Sequence, residues 1–271
     1  MKHPDGVLTY GPEREQRVGF FTDTSICIGC KACEVACKEW NLVPDDGFVW
    51  TGHSYDNTGE LNADTWRHVA FVEQQRENGH GIRWLMESDV CKHCTHAGCL
   101  DVCPTGAIVR TEFGTVVIQD DVCNGCGYCV TACPFGVITK REQGGDGGMH
   151  KCTLCYDRLE GGLEPACAKA CPTNSIQFGP LDELVARARE RCEQLHDEGV
   201  TDARLYLAPD QDDGIGGAGA FFLLLDEPEV YGLPPDPVVP TRDLGQIWTA
   251  AAVAAAALGA CLVAAFAGGD G

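Results

Sequence analysis

Sixteen of the eighteen cysteines in this 271-residue chain fall into four quartets, and their spacing constrains the fold more than any other feature. Cys27, Cys30, Cys33 and Cys37 form a C-x2-C-x2-C-x3-C run. In Cys91, Cys94, Cys99 and Cys103 the middle gap widens to four residues. Cys123, Cys126, Cys129 and Cys133 return to the short gaps, and Cys152, Cys155, Cys167 and Cys171 enclose an eleven-residue loop. Pro104, Pro134 and Pro172 follow the last cysteines of three quartets, whereas Lys38 follows Cys37. Three thiolates within seven residues wrap one loop around three corners of an iron–sulfur cube, with loop N–H groups aimed at its sulfurs. The fourth cysteine is expected where a helix begins, turned away toward a neighbouring cube.

Two other readings of so many cysteines compete with clusters. Zinc ribbons use two separated C-x2-C knuckles, not three cysteines crowded into one loop with a fourth before proline. Disulfide frameworks belong to secreted chains, and residues Met1 to Val18 hold no apolar run of signal-peptide length. Such frameworks also rarely contain four internally similar quartets. The C-x3-C-P endings instead carry the signature of bacterial-type ferredoxins. After each of those prolines the chain repeats a short pattern, ending in Ala107-Ile108, Val137-Ile138 and Ser175-Ile176. This repeat is expected to lay an apolar lid over each cluster. The spacing therefore predicts four [4Fe–4S] clusters.

Charge supports a redox reading over nucleic-acid binding. Forty acidic residues against twenty basic ones give a formal charge of −20, with no excess of basic side chains to meet phosphates. Four oxidised cubes, each near −2 with its thiolates, would add about −8. Five lysines, Lys31, Lys38, Lys92, Lys151 and Lys169, lie within two residues of a quartet cysteine. A cation there either raises a cluster potential or serves solubility, and the sequence leaves both open.

Along the chain, residues 1–24 read as a polar arm. A β-hairpin is expected from Arg67–Gln74 and Ile82–Met86 around Glu77-Asn78-Gly79-His80-Gly81, and a second from Ile108–Glu112 and Thr115–Ile118. Gln143 to Gly148 reads as a flexible link. Leu181 to Glu198 has the spacing of an amphipathic helix, with Cys192 on its apolar stripe as an inert packing residue. Gly214 to Gly219 spells G-x-G-x-x-G, but a strand-like run, Ala220 to Leu225, follows it where a dinucleotide site needs a helix. His93 and His96 flank Cys94 and are read as supporting residues, because that quartet is complete without them. From Leu244 to Ala267 there is no charge, and Trp248 to Ala267 is long enough to cross a bilayer. Trp248 is placed like an interfacial anchor, the alanine-rich stretch suits packing beside partner helices, and Cys261 is a packing residue within it.

Four quartets in this order, a long excursion after the first and one C-terminal apolar helix resemble the iron–sulfur (beta) subunit of respiratory formate dehydrogenases. The likeness includes Cys27-Ile28-Gly29-Cys30-Lys31-Ala32-Cys33, Tyr55-Asp56-Asn57 and Cys123-Asn124-Gly125-Cys126-Gly127-Tyr128-Cys129. It continues through Lys151-Cys152-Thr153-Leu154-Cys155, Asp157-Arg158, Glu164-Pro165-Ala166-Cys167 and Tyr231-Gly232-Leu233-Pro234.

The resemblance implies an α+β fold of two ferredoxin-like, two-cluster domains with hairpin insertions, plus a C-terminal transmembrane helix. Residues 1–90 would hold the arm, first loop and excursion, and 91–142 the second two-cluster domain. Residues 143–240 would complete the first domain, and 241–271 would form the membrane helix. By cross-ligation, cluster 1 takes Cys27, Cys30, Cys33 and Cys171, and cluster 4 takes Cys152, Cys155, Cys167 and Cys37. Cluster 2 takes Cys91, Cys94, Cys99 and Cys133, and cluster 3 takes Cys123, Cys126, Cys129 and Cys103. No nucleophile or acid–base pair is visible, so the chain itself would be no enzyme. It would relay electrons from a molybdenum or tungsten pterin catalytic subunit to a membrane cytochrome b and quinone. The equivalent subunit of a hydrogenase or another molybdopterin oxidoreductase is the alternative, and a free-standing soluble polyferredoxin a more distant one. Arg242 before the tail and Asp270 after it point to a cytoplasmic globular part. The resemblance points instead to the outer side of the cytoplasmic membrane, after export with the catalytic partner, and is preferred.

Overall fold

The computed structural model of the protein describes residues 16–45, 47, 52, 55–75, 81–141, 147–211 and 213–267. Residues 1–239 form one compact unit and 240–271 a second.

The first unit is organised by a sheet that the sequence does not announce. Strand β1 (Val18–Asp23) lies inside the stretch read as a polar arm, and this corrects that reading. Phe20 and Phe21 are both fully buried, on opposite faces of the strand. Two aromatics between polar neighbours are too short a run to stand out by periodicity. The next elements are helix α1 (Ala32–Asn41), then β2 (Arg67–Gln75) and β3 (Ile82–Val90). These two strands pair antiparallel from Arg67↔Val90 to Gln75↔Ile82, as the first hairpin expectation required. Its turn, Glu77 to His80, lies outside the described residues, as does most of the Gly-rich link.

The second pair of cysteine loops follows. The short helix α2 (Gly98–Asp101) leads into the hairpin of β4 (Ile108–Arg110) and β5 (Val116–Ile118). Next are α3 (Tyr128–Thr131) and the two-residue strands β6 (Thr139–Lys140) and β7 (Met149–His150). Helices α4 (Tyr156–Glu160) and α5 (Ala166–Ala170) precede β8 (Ile176–Pro180). Helix α6 (Leu181–Asp197) begins after Pro180 with Asp182 and Glu183 in its first turn, where the helix dipole favours acids. It buries Leu181, Leu184, Ala188 and Leu195 as its spacing predicts, packing against β1 and β8. Cys192 is half-buried there, its Sγ 3.4 Å from the Ala203 carbonyl.

Strands β9 (Arg204–Tyr206) and β10 (Ala220–Leu224) complete a four-stranded sheet of order β8-β1-β10-β9. Strand β1 pairs antiparallel with β8, about 160 positions away, and parallel with β10, two hundred positions away. Every residue of β10 is buried, so the glycine run before it ends in a core strand and the dinucleotide pattern has no helix to open. Gly19 permits close approach here, since a Cβ on it would lie 2.0 Å from the Gly219 carbonyl oxygen. Gly19→Ala is therefore expected to cost about 3 kcal/mol through overpacking, read as a lowered thermal midpoint.

The second unit is helix α7 (Leu244–Ala267), preceded by a short 3-10 turn. At 1.5 Å per residue its twenty-four residues span about 36 Å. Thr241–Phe266 has a mean hydropathy of 2.1, and none of it is buried.

Candidate functional site

Strand pairing decides which quartets meet. Three residues separate the end of β1 from Cys27, and four lie between Cys171 and the start of β8. Antiparallel pairing of these strands therefore carries Cys171 beside the first loop. Ser175 Oγ donates to the Asp23 carbonyl at 2.6 Å and locks the two segments together. Helix α1 packs on α5 and carries Cys37 away from its own loop toward Cys167. In the same way α2 packs on α3, close enough that a Cβ on Gly98 would sit 2.8 Å from the Ala132 carbonyl oxygen.

The result is four mixed groups of thiols. Cys27 is influenced by Cys33, Cys171 and Cys30, and these four line one cavity with Ile28, Pro172 and Ile176. Cys37 is influenced by Cys152, Cys167 and Cys155, and all four are buried. Cys94 is influenced by Cys91, Cys99 and Cys133. Around Cys129 the neighbouring thiols are Cys123, Cys103 and Cys126. Cys30 and Cys126 are exposed, one in the first-loop group and one in the third-loop group.

Burial sets the protonation of these thiols. It pushes Cys27 and Cys33 up to about 11 and Cys99 to about 12, and it also raises Cys37, Cys94 and Cys152 well above the usual thiol range. Neighbouring thiols add to the rise in each group. Such thiols ionise near neutral pH only when a strongly cationic centre claims them, which is what iron in a cube supplies. Hydrogen bonds to sulfur are already in place. Leu154 N–H points at Cys152 Sγ at 3.3 Å and Met149 N–H at Cys123 Sγ at 3.4 Å. Asn41 Nδ2 reaches Cys37 Sγ at 3.7 Å and Cys155 Sγ at 3.8 Å. At Cys103, burial would raise the pKa, but hydrogen bonds from the Thr105 side chain and from the Ile108, Thr105 and Ala107 backbone lower it on balance. Those residues belong to the lid repeat, whose Ile108, Ile138 and Ile176 are all buried. Among the described residues, no three His, Cys, Asp or Glu side chains converge on a point where one ion would sit. The thiols fall into mixed groups of four, the ligand number of a [4Fe–4S] cube.

The five lysines near cysteines divide into two kinds. Lys169 is exposed and pairs with Glu164 at 3.3 Å, a surface arrangement. Lys38 Nζ donates to the Asp64 carbonyl at 2.6 Å, and Lys31 joins Glu34 and Asp56 at 3.0 and 3.2 Å. Lys92 and Lys151 are buried. Lys92 pairs with Asp89, and Lys151 donates to the Val116 and Cys152 carbonyls. Solubility does not account for a buried ammonium. His93 is buried as well, and burial followed by the charges of Lys151, Arg17 and Arg110 pushes its pKa well down. Its Nδ1 accepts the Val116 N–H at 3.0 Å and so pins the loop between Cys91 and Cys94.

Comparison with known proteins turns this geometry into kinship. Residues 26–107 and 82–181 each match a family described as a 4Fe-4S dicluster domain. The nitrate-inducible formate dehydrogenase iron-sulfur subunit of Escherichia coli is 41% identical over 98% of this chain and 86% of its own. The formate dehydrogenase iron-sulfur subunit of Haemophilus influenzae is 42% identical over 86% of this chain and 74% of its own. The chain belongs to the formate dehydrogenase iron–sulfur subunit family. Members are the electron-transfer subunits of their complexes rather than the catalytic ones. One subunit of the anaerobic dimethyl sulfoxide reductase of Escherichia coli is 40% identical but matches only 61% of this chain.

Sequence reasoning missed the charged residues that strands β2 and β3 bring in beside the clustered thiols. Arg67 is 1% exposed, and its Nη1 donates to Ser88 O at 3.0 Å and to Ser88 Oγ at 3.1 Å. Glu87 is fully buried, and neither carboxyl oxygen has a hydrogen-bond partner among the described residues. Burial, then Asp89, pushes its pKa well up, although Lys92 and Arg67 oppose this. A signal for Arg67 was available. It shares strand parity with Val69 and Phe71, so an inward-facing charge stood in an apolar row.

Proposed function

We propose that this chain is the electron-transfer subunit of a membrane-associated formate dehydrogenase and holds four [4Fe–4S] cubes in two interleaved two-cluster domains. Residues 91–142 would form one domain, and 1–90 with 143–240 the other, in an α+β arrangement. Cluster 1 is assigned to Cys27, Cys30, Cys33 and Cys171, and cluster 4 to Cys152, Cys155, Cys167 and Cys37. Cluster 2 is assigned to Cys91, Cys94, Cys99 and Cys133, and cluster 3 to Cys123, Cys126, Cys129 and Cys103.

One observation carries the reading: the thiol groups adjoin one another in series. Cys33 is influenced by Cys167, which links group 1 to group 4. Cys152 is influenced most, among the thiols, by Cys91 and links group 4 to group 2. Cys99 is influenced by Cys129 and links group 2 to group 3. The order 1–4–2–3 would therefore serve as a wire, and its exposed thiols, Cys30 and Cys126, belong to the two end groups. When bound, each cube accepts and passes on one electron at a time. The protein's part is to exclude water from the middle of the wire, to hold the sulfurs with N–H groups and to set the local charge. A molybdenum or tungsten pterin subunit would feed one end, and a membrane cytochrome b would drain the other to quinone.

Helix α7 would anchor the assembly as a single span, with the globular part outside the cytoplasm. Formate is favoured over other substrates by coverage. The likeness to formate dehydrogenase subunits runs through nearly the whole chain, whereas the likeness to the dimethyl sulfoxide reductase subunit leaves more than a third of it unmatched. Anaerobically purified protein should carry about sixteen iron and sixteen acid-labile sulfide per chain. Stoichiometric zinc, or iron near half that value, would refute the reading.

A further inference from the structure

We propose that Arg67 is the buried counter-cation shared by cysteine groups 1 and 4, and that its fixed charge raises the reduction potentials of both cubes bound there. The inference rests on the cluster assignment above.

Arg67 opens strand β2 and lies under the ring of Phe20, whose centroid is 4.9 Å from its guanidinium carbon. Its Nη1 donates to Ser88, Nε and Nη2 have no partner among the described residues, and the guanidinium is also a hydrogen-bond partner of the Cys167 thiol. Glu87 is near enough to feel its charge, yet no hydrogen bond joins the two. A buried cation left in this state is costly, because desolvation goes uncompensated. The compensation lies in the cysteines. Arg67 is influenced by Cys167, Cys33, Cys152 and Cys37, in that order, so it faces one ligand of group 1 and three of group 4. Ser88 extends the contact, its Oγ lying 3.3 Å from Cys33 Sγ.

The sign of the effect follows from charge. Each cube with its thiolates is already negative and becomes more so on accepting an electron. A guanidinium between two such centres stabilises the reduced form of each more than the oxidised form, and low local dielectric keeps that attraction from being screened. Arg67 cannot lose its proton, so the bias is independent of pH. Group 2 has cations of its own, Lys151 acting on Cys99 and Arg110 on Cys94, and Arg67 is not among the influences on Cys94, Cys99, Cys129 or Cys103. The influence of Arg67 should therefore stop at groups 1 and 4.

The test is an EPR-monitored redox titration of the anaerobically purified complex as wild type, Arg67→Met and Arg67→Lys, with iron counted in each. A wild-type complex short of four cubes would overturn the cluster assignment, and this proposal would fall with it. With four cubes present, only Arg67 is at issue. Arg67→Met should shift the reduction equilibria of clusters 1 and 4 at least tenfold toward the oxidised form, about 59 mV for a one-electron couple. Clusters 2 and 3 should keep their potentials. Arg67→Lys retains the charge without the planar fork and should hold clusters 1 and 4 near wild type. Unchanged potentials in Arg67→Met, or equal shifts at all four clusters, would overturn the proposal. If Arg67→Met fails to load iron, Arg67→Lys decides. Potentials held near wild type support a charge effect, whereas a tenfold loss, or iron lost from both variants, marks Arg67 as merely structural.

Discussion

Replacement of Cys37 by serine should remove the cube proposed on the fourth quartet and spare the cube proposed on the first. Sequence order alone favours the opposite outcome, since Cys37 closes the first C-x2-C-x2-C-x3-C run. Helix α1 overrides that order. Cys33 sits near its start and Cys37 one turn further on, and packing on α5 places Cys37 among Cys152, Cys155 and Cys167. Iron should fall from about sixteen toward about twelve per chain. The EPR signal of the cube on Cys152, Cys155 and Cys167 should vanish or give way to a three-iron form. The signal assigned to Cys27, Cys30, Cys33 and Cys171 should persist. Because the groups lie in series, formate-to-quinone activity should drop to background, while the catalytic partner still reduces an artificial acceptor. Loss of the first-loop signal in this variant would show that each quartet serves its own cube.

Cys37 is legible as a ligand in the sequence, but the group it joins is not. The quartets, both hairpins, helix α6 and the apolar tail are local patterns, each with a period or spacing confined to a few residues. They were legible for that reason. Strand β1 was not. Its partners β8 and β10 lie far along the chain, and nothing in Val18–Asp23 names them. The helix contacts that gather the thiols into groups are non-local in the same way, so the grouping had to be expected from ferredoxin-like cross-ligation.

Charge was legible in number but not in place. Five lysines beside cysteines looked equivalent in sequence, yet Lys169 is at the surface and Lys92 and Lys151 are buried. Arg67 lies twenty-four residues from the nearest quartet and still reaches two groups, because the β2–β3 hairpin folds back over the first loop. A buried cation in a strongly acidic chain makes physical sense only beside concentrated negative charge. The four thiol groups are where that charge would reside.

Truncation after Thr241 should leave every cube intact yet detach the subunit from its electron acceptor. No quartet cysteine lies beyond Cys171, and residues 1–239 form a compact unit with their own buried core. The removed helix exposes Trp248, Val253, Leu258, Leu262, Val263 and Phe266 to solvent. A helix exposing such a surface is long and apolar enough to cross a bilayer. Its alanine content gives weak insertion on its own but allows close approach to neighbouring helices, so anchoring should depend on the membrane partner. The truncated chain, with its catalytic partner, should appear in the soluble fraction with iron unchanged. Quinone reduction should fall to background while formate oxidation with an artificial acceptor survives. If the truncated complex stays on the membrane and reduces quinone at the full rate, α7 is not the anchor, and the contact with the quinone-reducing partner lies on residues 1–239.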